Sequence, residues 1–202
     1  MTDGAVFRWI NRLADRTRWA HPLFRANASY GIVLFAVLLL ITYINGRRHA
    51  DLYGVASSVW AAGAALVALG IGQLIGGAVN RARPYRAMPN VHLLVDKTND
   101  FSFPSDHATV AGAVAVGLLL TNRRWGIVAV ALAVLMAFTR VYVGAHYPSD
   151  VLAGLALGAT VAVTGSIVLV PSLTRLAGRL RTTALGPLLT TTHPNTANSN
   201  DT

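Results

Sequence analysis

The sequence contains no cysteine and no glutamate, and it has a single lysine, Lys97. The absence of cysteine excludes disulfide bonds and thiolate metal sites. Charged residues make up only 12% of the chain, whereas ordinary soluble domains contain about 25%. Hydrophobic residues make up 53% of the 202 residues. This balance is typical of a membrane protein.

The net charge is +9, and every cationic side chain except Lys97 is an arginine. A positive excess can indicate nucleic-acid binding, but in so hydrophobic a chain it favours anionic lipid headgroups or a phosphate-bearing substrate. We therefore expect membrane lipids and a lipid phosphate as partners, and no nucleic acid. The sequence carries no indication of an oligomeric state.

Five hydrophobic runs approach the roughly 17–25 residues that cross a bilayer as a helix. They are residues 28–45, 53–79, 105–121, 125–143 and 148–170. Glycines recur in the second, third and fifth runs, and small residues let membrane helices approach closely. The sequence predicts an all-α, polytopic membrane helix bundle with about five transmembrane helices.

The two ends of the chain differ from this hydrophobic part. Residues 1–27 interleave arginines with Phe7, Trp9 and Trp19, a pattern that predicts an amphipathic helix lying in the headgroup region. The arginines interrupt any apolar core, so this segment is not a signal peptide. Residues 28–181 are expected to form the transmembrane domain, and the polar tail 182–202 is expected to be disordered.

Charge does not decide the orientation of the bundle. Five spans put the N-terminus, the 80–104 loop and the 144–147 turn on one side of the membrane. Apart from two arginines in the motifs described next, that side carries eight cations and the other side seven. Positive charge normally marks the cytoplasmic side, but a difference of one leaves the orientation open.

Polar residues cluster at the ends of the predicted spans in three segments, 80–85 (NRARPY), 103–108 (FPSDHA) and 139–150 (TRVYVGAHYPSD). Ionisable groups at membrane depth are costly and usually functional. The candidate catalytic residues are His146, His107 and Asp150, and the candidate phosphate-binding residues are Arg83, Ser105, Asp106 and Arg140.

These residue types together suit phosphoryl transfer. Arginine forks match phosphate oxygens, and an N-cap at Ser105 leaves free N–H groups for an anion. Pro148 is expected in the first turn of a helix, from which Asp150 can reach one ring nitrogen of His146 and leave the other free to attack. His107 comes from a different helix and is suited to protonate the leaving oxygen.

Each residue taken alone also has a plainer explanation. Arg83 can extend toward the membrane surface, Asp150 can stabilise a helix dipole, and Ser105 can be only a cap. His107 can be an ordinary helix residue without a functional role. Four further histidines have no partners by spacing: His21, His49, His92 and His193. No HExxH-like pair exists, so neither a metal nor another cofactor is expected.

In the three segments the sequence resembles the type 2 phosphatidic acid phosphatase (PAP2) superfamily. The superfamily signature has a lysine followed after six residues by Arg-Pro, then Pro-Ser-Gly-His, then Ser-Arg, five residues, His, three residues and Asp. Arg83-Pro84, residues 104–107, and Arg140 with His146 and Asp150 match in this order. The run Phe-Pro-Ser-Asp-His is similar to the bacitracin-resistance undecaprenyl-diphosphate phosphatases of the superfamily.

The match departs from the signature at three positions. Gly76 stands where the lysine is expected, Asp106 replaces a glycine, and Thr139 replaces a serine but keeps the hydroxyl. Without the lysine, one phosphate contact is missing or is supplied by another cation. The candidates are Arg81, Arg86 and Lys97.

The resemblance implies a role for each candidate. His146 would form a phosphohistidine, His107 would protonate the leaving group, and Asp150 would orient His146. Arg83, Arg140, Ser105 and the backbone near Asp106 would hold the phosphate. The implied enzyme is a metal-independent lipid phosphatase of the bacterial inner membrane, with its active site on the extracytoplasmic face. It would hydrolyse undecaprenyl or decaprenyl diphosphate and so recycle the lipid carrier for peptidoglycan and cell-envelope synthesis.

Other functions stay open because the motifs contact the phosphate and not the tail. Phosphatidate, phosphatidylglycerol phosphate and a polyprenyl-phosphoryl sugar phosphate are alternative substrates. A vanadate-dependent haloperoxidase shares the anion pocket, but its soluble body is contradicted by five hydrophobic runs. A catalytically inactive membrane binder or transporter would have little use for a His–Asp pair and a second histidine.

Overall fold

The computed structural model describes residues 2–191, and within this range all regular secondary structure is helical. In chain order the helices are α1 (Asp3–Asn11), α2 (Leu13–Arg16), α3 (His21–Arg48), α4 (Leu52–Val79), α5 (Pro84–Ala87), α6 (Asp106–Thr121), α7 (Arg123–Tyr142), α8 (Pro148–Val168), α9 (Val170–Leu180) and α10 (Gly186–Leu189). The predicted all-α class is confirmed. Of the tail expected to be disordered, residues 182–191 include α10, and residues 192–202 lie outside the described residues.

Four helices, α3, α4, α7 and α8, are long and apolar enough to cross a membrane. The shorter apolar helix α6 has 16 residues, or roughly 24 Å at 1.5 Å per residue, less than the hydrocarbon core of about 30 Å. The predicted five spans are therefore four long helices and one shorter one. Outward side chains such as Leu66, Leu74 and Ile167 are 71%, 77% and 72% exposed. Such a surface suits lipid, and the protein is a multi-pass membrane protein.

Helix α6 is short because the chain before it cannot be helical. Phe103 precedes Pro104, a position that disfavours helical geometry, and α6 begins only after the cap residue Ser105. The helix nevertheless lies at the centre of the bundle, packed against α4, α7 and α8. Its N-terminus therefore opens inside the protein, where Ser102 and Ser105 are fully buried.

Glycines bring α6 and α8 into backbone contact, as the recurring small residues predict. A Cβ atom at Gly158 would lie 2.1 Å from the carbonyl oxygen of Thr109, and one at Gly112 would lie 2.4 Å from that of Leu155. No side chain fits at these distances. The close approach aligns the first turn of α8 beside the first turn of α6.

Local sequence explains where the long helices begin and end. The side chain of Asp51 accepts a backbone N–H at 2.9 Å at the start of α4, and that of Asn122 accepts one at 3.3 Å at the start of α7. Asn80 ends α4 in the left-handed conformation with φ of 51°. One end of the bundle contains the C-termini of α4 and α7 together with the N-termini of α6 and α8.

The N-terminal segment docks at this same end. Phe7 of α1 is fully buried, with its ring centroid 5.6 Å from that of Tyr147. Asn11 donates from its side-chain amide to the carbonyl oxygens of His92 and Tyr142, both at 2.9 Å. Helix α1 is therefore part of the folded body.

Residues 1–27 are expected from the sequence to form one interfacial segment. The described part of it, residues 2–27, is divided between α1, α2, a 3₁₀ turn at Arg18–Ala20 and the first turns of α3. Trp9 and Trp19 remain 64% and 81% exposed. The position of this segment at the membrane surface stays a prediction.

A Gly158→Ala substitution should lower the thermal stability of the purified protein in detergent. The new methyl group would lie 2.1 Å from the carbonyl oxygen of Thr109, so α6 and α8 must separate at a cost of about 1–3 kcal/mol. Gly70→Ala is the matched control, because no atom lies within 4 Å of its Cβ position and alanine favours the helix. Equal losses in the two variants would contradict this packing.

Candidate active site

The three motif segments converge at the end of the bundle where α1 docks. The backbone N–H of Ser102 donates to the carbonyl oxygen of Arg81 at 2.9 Å, and that of Ser105 donates to the carbonyl oxygen of Asp150 at 3.1 Å. These bonds tie the stretch after α4 and the stretch before α6 to each other and to the first turn of α8. Residues far apart in the chain thereby share one site.

His146 lies in the turn between α7 and α8 and is 1% exposed. Its Nδ1 is 2.7 Å from the carbonyl oxygen of Ser102, and because a carbonyl can only accept, Nδ1 carries the proton. Nε2 therefore keeps its lone pair, and it lies 3.0 Å from Nη1 of Arg83. The ring is held in the tautomer in which Nε2 can act as a nucleophile.

The surroundings of His146 also keep its ring neutral. Burial lowers the pKa of His146 to about 4; the neighbouring Asp150 opposes this shift, and the positive charges of Arg140 and Arg83 add to it. An imidazole with this pKa is unprotonated at pH 7, and only the unprotonated ring can attack phosphorus.

Asp150 lies in the first turn of α8 and is fully buried. Its Oδ2 is 3.8 Å from Nδ1 of His146, longer than a hydrogen bond, since that nitrogen already faces the Ser102 carbonyl. Oδ2 instead accepts from the Ser102 hydroxyl and from the backbone N–H of Tyr147 at 2.8 Å, and Oδ1 accepts from Arg81 at 2.6 Å. The contact to His146 therefore runs mainly through Ser102. The orienting role of Asp150 stays a prediction.

Arg83 follows α4 and is 6% exposed. Its Nε and Nη2 donate to the two carboxylate oxygens of Asp100 at 3.1 Å and 2.8 Å, while Nη1 donates to the carbonyl oxygen of Ala145 at 3.1 Å and faces Nε2 of His146. Burial alone would raise the pKa of Asp100, but hydrogen bonds from Thr98 and Arg83 lower it. Arg83 is thus a paired cation beside the candidate nucleophile.

Arg140, near the end of α7, is 8% exposed and has no carboxylate partner in the described part of the chain. Its Nε has no hydrogen-bond partner, and its one side-chain bond in residues 2–191 is a long contact of 3.4 Å from Nη1 to the carbonyl oxygen of Ala28. The fully buried hydroxyl of Ser105 also lacks a partner. Buried polar groups without partners raise the free energy, and phosphate oxygens are acceptors of the kind that each of these donors lacks.

The other two candidates lie in the first turn of α6. The charges of Arg140, Arg83 and Asp100 act on His107, which places this histidine in the same site. The carboxylate of Asp106 accepts from the side chain of Gln73 on α4, with both oxygens at 3.0 Å. Asp106 can therefore contribute through its backbone N–H, which has no acceptor within the helix. The roles of His107 and Asp106 stay predictions.

The backbone around Gly76, the position where the family has a lysine, leaves little room for a side chain. A Cβ atom at Gly76 would lie 3.0 Å from the carbonyl oxygen of Phe103. Among the three candidate replacements, Arg81 is bonded to two carboxylates, Arg86 is bonded to residues 98–99, and Lys97 is exposed. Arg83 and Arg140 are consequently the cations next to His146. No group of three metal-ligating side chains lies close together in residues 2–191.

Sequence reasoning missed three residues of the site. Ser102 and Asp100 lie just before the Phe-Pro-Ser-Asp-His run, and this closeness was the one signal that could have found them. Asp3 had no local signal, because its contact with Ser149 spans 146 positions in the chain. Arg81 was considered as a phosphate ligand, whereas the structure pairs it with Asp150.

The geometry defines a class of protein: a membrane helix bundle in which a neutral histidine and two buried arginines are arranged for phosphoryl transfer. Residues 57–172, more than half of the chain, match the PAP2 superfamily. The chain belongs to the PAP2 superfamily, whose characterised relatives include phosphatases and diphosphatases.

Relatives and a solved structure agree with this assignment. The chain is 32% identical to undecaprenyl-diphosphatase BcrC of Bacillus subtilis over 74% of this chain and 75% of that protein. It is 46% identical to decaprenylphosphoryl-5-phosphoribose phosphatase of Mycobacterium tuberculosis over 52% of this chain and 55% of that protein. The fold is similar to that of LpxE from Aquifex aeolicus, with a TM-score of 0.62, 24% identity, and coverage of 81% of this chain and 93% of LpxE.

The acid limb of kcat/KM should lie below pH 6.5, the ordinary pKa of histidine. His146 stays neutral until the pH falls toward its pKa of about 4, so protonation inactivates the free enzyme only in more acidic solution. The measurement is kcat/KM against pH, corrected for the separately determined ionisation of the substrate. A corrected acid limb at or above pH 6.5 is the opposing result.

An Arg140→Met substitution should abolish phosphatase activity and yet stabilise the free protein. The substitution removes a buried charge that no carboxylate compensates, and the desolvation cost of such an ion is roughly several kcal/mol. Arg83→Met is the matched comparison and should destabilise the protein, because Arg83 is paired with Asp100. Thermal unfolding in detergent without phosphate measures both effects. A lower unfolding temperature for Arg140→Met would contradict the unpaired state of Arg140.

Proposed function

We propose that this protein hydrolyses a polyprenyl diphosphate with an undecaprenyl or decaprenyl tail, releasing inorganic phosphate and the lipid monophosphate. The observation that carries the proposal is that two buried groups without partners, Nε of Arg140 and the hydroxyl of Ser105, lie on the segments that are bonded to the turn and first helical turn around the neutral His146. A phosphate supplies the acceptor oxygens and the negative charge that this pocket lacks. The similarity to undecaprenyl-diphosphatase BcrC over most of the chain supports the diphosphate and the polyprenyl tail.

In the proposed reaction, Nε2 of His146 attacks the terminal phosphorus and forms a P–N bond while the bond to the bridging oxygen breaks. His107 is the group that delivers a proton to that leaving oxygen. Water then attacks the phosphohistidine, returns a proton to His107 and releases inorganic phosphate together with neutral His146. Arg83 and Arg140 balance the charge on the equatorial oxygens during both steps.

We further propose that the enzyme works in the plasma membrane with its active end on the extracytoplasmic face. The tail of the substrate would lie along the apolar outer surfaces of the long helices, while its headgroup reaches the end of the bundle that holds His146. Hydrolysis on that face would return the lipid carrier to cell-envelope synthesis.

A polyprenyl-phosphoryl sugar phosphate is the second candidate substrate. It is favoured by the 46% identity to decaprenylphosphoryl-5-phosphoribose phosphatase, over 105 residues. The bond that breaks would then be a phosphomonoester on the sugar, and the same nucleophile and arginines would act.

A substrate panel separates the candidates. Purified protein in detergent, without added metal, is given undecaprenyl diphosphate, a decaprenylphosphoryl pentose phosphate, phosphatidate and phosphatidylglycerol phosphate. Release of inorganic phosphate is measured as kcat/KM for each, and we expect the diphosphate to rank first. A higher value for the pentose phosphate would transfer the proposal to the second candidate.

His146→Ala should reduce kcat by at least about 10³-fold, because the reaction loses its nucleophile. His49→Ala is the matched control and should keep wild-type activity. His49 is exposed at the C-terminus of α3, at the end of the bundle opposite to His146. Equal activity of His146→Ala and the wild type would contradict the proposed mechanism.

A further inference from the structure

Arg81, which lies just after α4, binds the carboxylate of Asp150. Asp3 of the N-terminal helix α1 in turn binds Arg81. Arg81 donates from Nη1 to Oδ1 of Asp150 and from Nη2 to Oδ2 of Asp3, both at 2.6 Å. Its guanidinium carbon also lies 4.0 Å from the ring centroid of Tyr147, within the range of a cation–π contact. Arg81 therefore bridges two carboxylates, one from the motif region and one from α1.

Asp3 is in turn fixed on the first turn of α8. Its Oδ1 accepts the backbone N–H of Ser149 at 3.0 Å, and its Oδ2 accepts the Ser149 hydroxyl at 2.6 Å. Nη1 of Arg81 also donates to that hydroxyl, at 2.7 Å. Burial alone would raise the pKa of Asp3, but the hydrogen bonds from Ser149 and Arg81 lower it. Asp3 is thus an ionised carboxylate whose two oxygens are both engaged.

This bridge matters for the chemistry because Asp150 has few other ways to hold its orientation. Asp150 is fully buried, and its remaining donors are the Ser102 hydroxyl and the N–H of Tyr147, both to Oδ2. Arg81 is the one donor to Oδ1 in the described part of the chain. The side chain of Arg81 is itself 30% exposed, so water competes for it when Asp3 is removed.

We infer that Asp3 is a positioning residue that acts through Arg81 to hold the carboxylate of Asp150 in place behind Ser102 and His146. The inference rests on the proposed function, because Asp150 matters only if His146 is the nucleophile. It assigns α1 a role in the reaction: the helix completes the support of the site from a part of the chain that carries none of the family motifs.

The experiment is a double-mutant cycle with Asp3→Asn and Asp150→Asn in the full-length protein. Asp3→Asn should lower kcat about tenfold, which is within the range for residues that share one hydrogen-bond and salt-bridge network, and should leave KM within about twofold. In the Asp150→Asn background, Asp3→Asn should cause no further loss, because the group through which it acts is already altered. Multiplicative losses in the cycle would overturn the inference.

Two further variants separate positioning from folding. Asp15→Asn removes another carboxylate of the N-terminal segment, one with an oxygen 3.0 Å from Nε2 of His92, and should leave kcat unchanged. Arg81→Lys keeps the charge but loses the two-pronged geometry, and should reproduce the loss of kcat seen in Asp3→Asn. If Asp15→Asn lowers kcat as much as Asp3→Asn does, the effect belongs to the stability of the segment, and the inference fails.

The outcome also distinguishes this inference from the proposed function. The cycle is measured on whichever lipid phosphate in the panel is hydrolysed fastest, so a different substrate leaves it intact. If the wild type hydrolyses none of these lipids, the proposed function fails. The inference is then tested by binding, with orthovanadate and inorganic phosphate titrated separately into the wild type and Asp3→Asn. Orthovanadate can bond to Nε2 of an oriented histidine, so Asp3→Asn should weaken its binding about tenfold more than phosphate binding. Equal losses for both anions would overturn the inference.

Discussion

The site depends on buried charges that are paired unequally. Asp150 accepts from three donors and Arg83 is paired with Asp100, whereas Arg140 has no carboxylate partner in the described residues. An unpaired buried charge raises the free energy of the folded state, so this arrangement favours any ligand that brings negative charge. The carboxylates that could have neutralised Arg140 are held elsewhere: Asp100 on Arg83, Asp106 on Gln73, and Asp150 on Arg81.

The packing of the helices sets where these buried groups lie. Because α6 starts only at Asp106, the non-helical stretch before it can bring the backbone of Ser102 to His146. A longer helix would have used that carbonyl for its own hydrogen bonds. Glycines at the contact between α6 and α8 then bring the first turn of α8, with Asp150, close enough to receive the N–H of Ser105 on its carbonyl oxygen. Helix packing and the orientation of the candidate nucleophile are therefore linked.

Much of the fold and site could be predicted because the signals are local. Hydrophobic runs located the long helices to within a few residues at most ends, although α3 begins at His21 and not near residue 28. Spacing in the third motif brought Arg140, His146 and Asp150 into one group. Spacing alone could not show whether Asp150 bonds directly to His146, because another acceptor can occupy the N–H at Nδ1. The Ser102 carbonyl, 44 positions away, does so.

The sequence by itself determined that this is an all-α membrane protein, and it predicted phosphate chemistry in three motif segments, since run length, residue type and short spacing are properties of neighbouring residues. Only the tertiary structure decided which nitrogen of His146 carries the proton, which of the two buried arginines of the site lacks a carboxylate partner, and that Arg81 links Asp3 to Asp150. These features depend on contacts between residues 17 to 146 positions apart, and such contacts form only when the helices pack together.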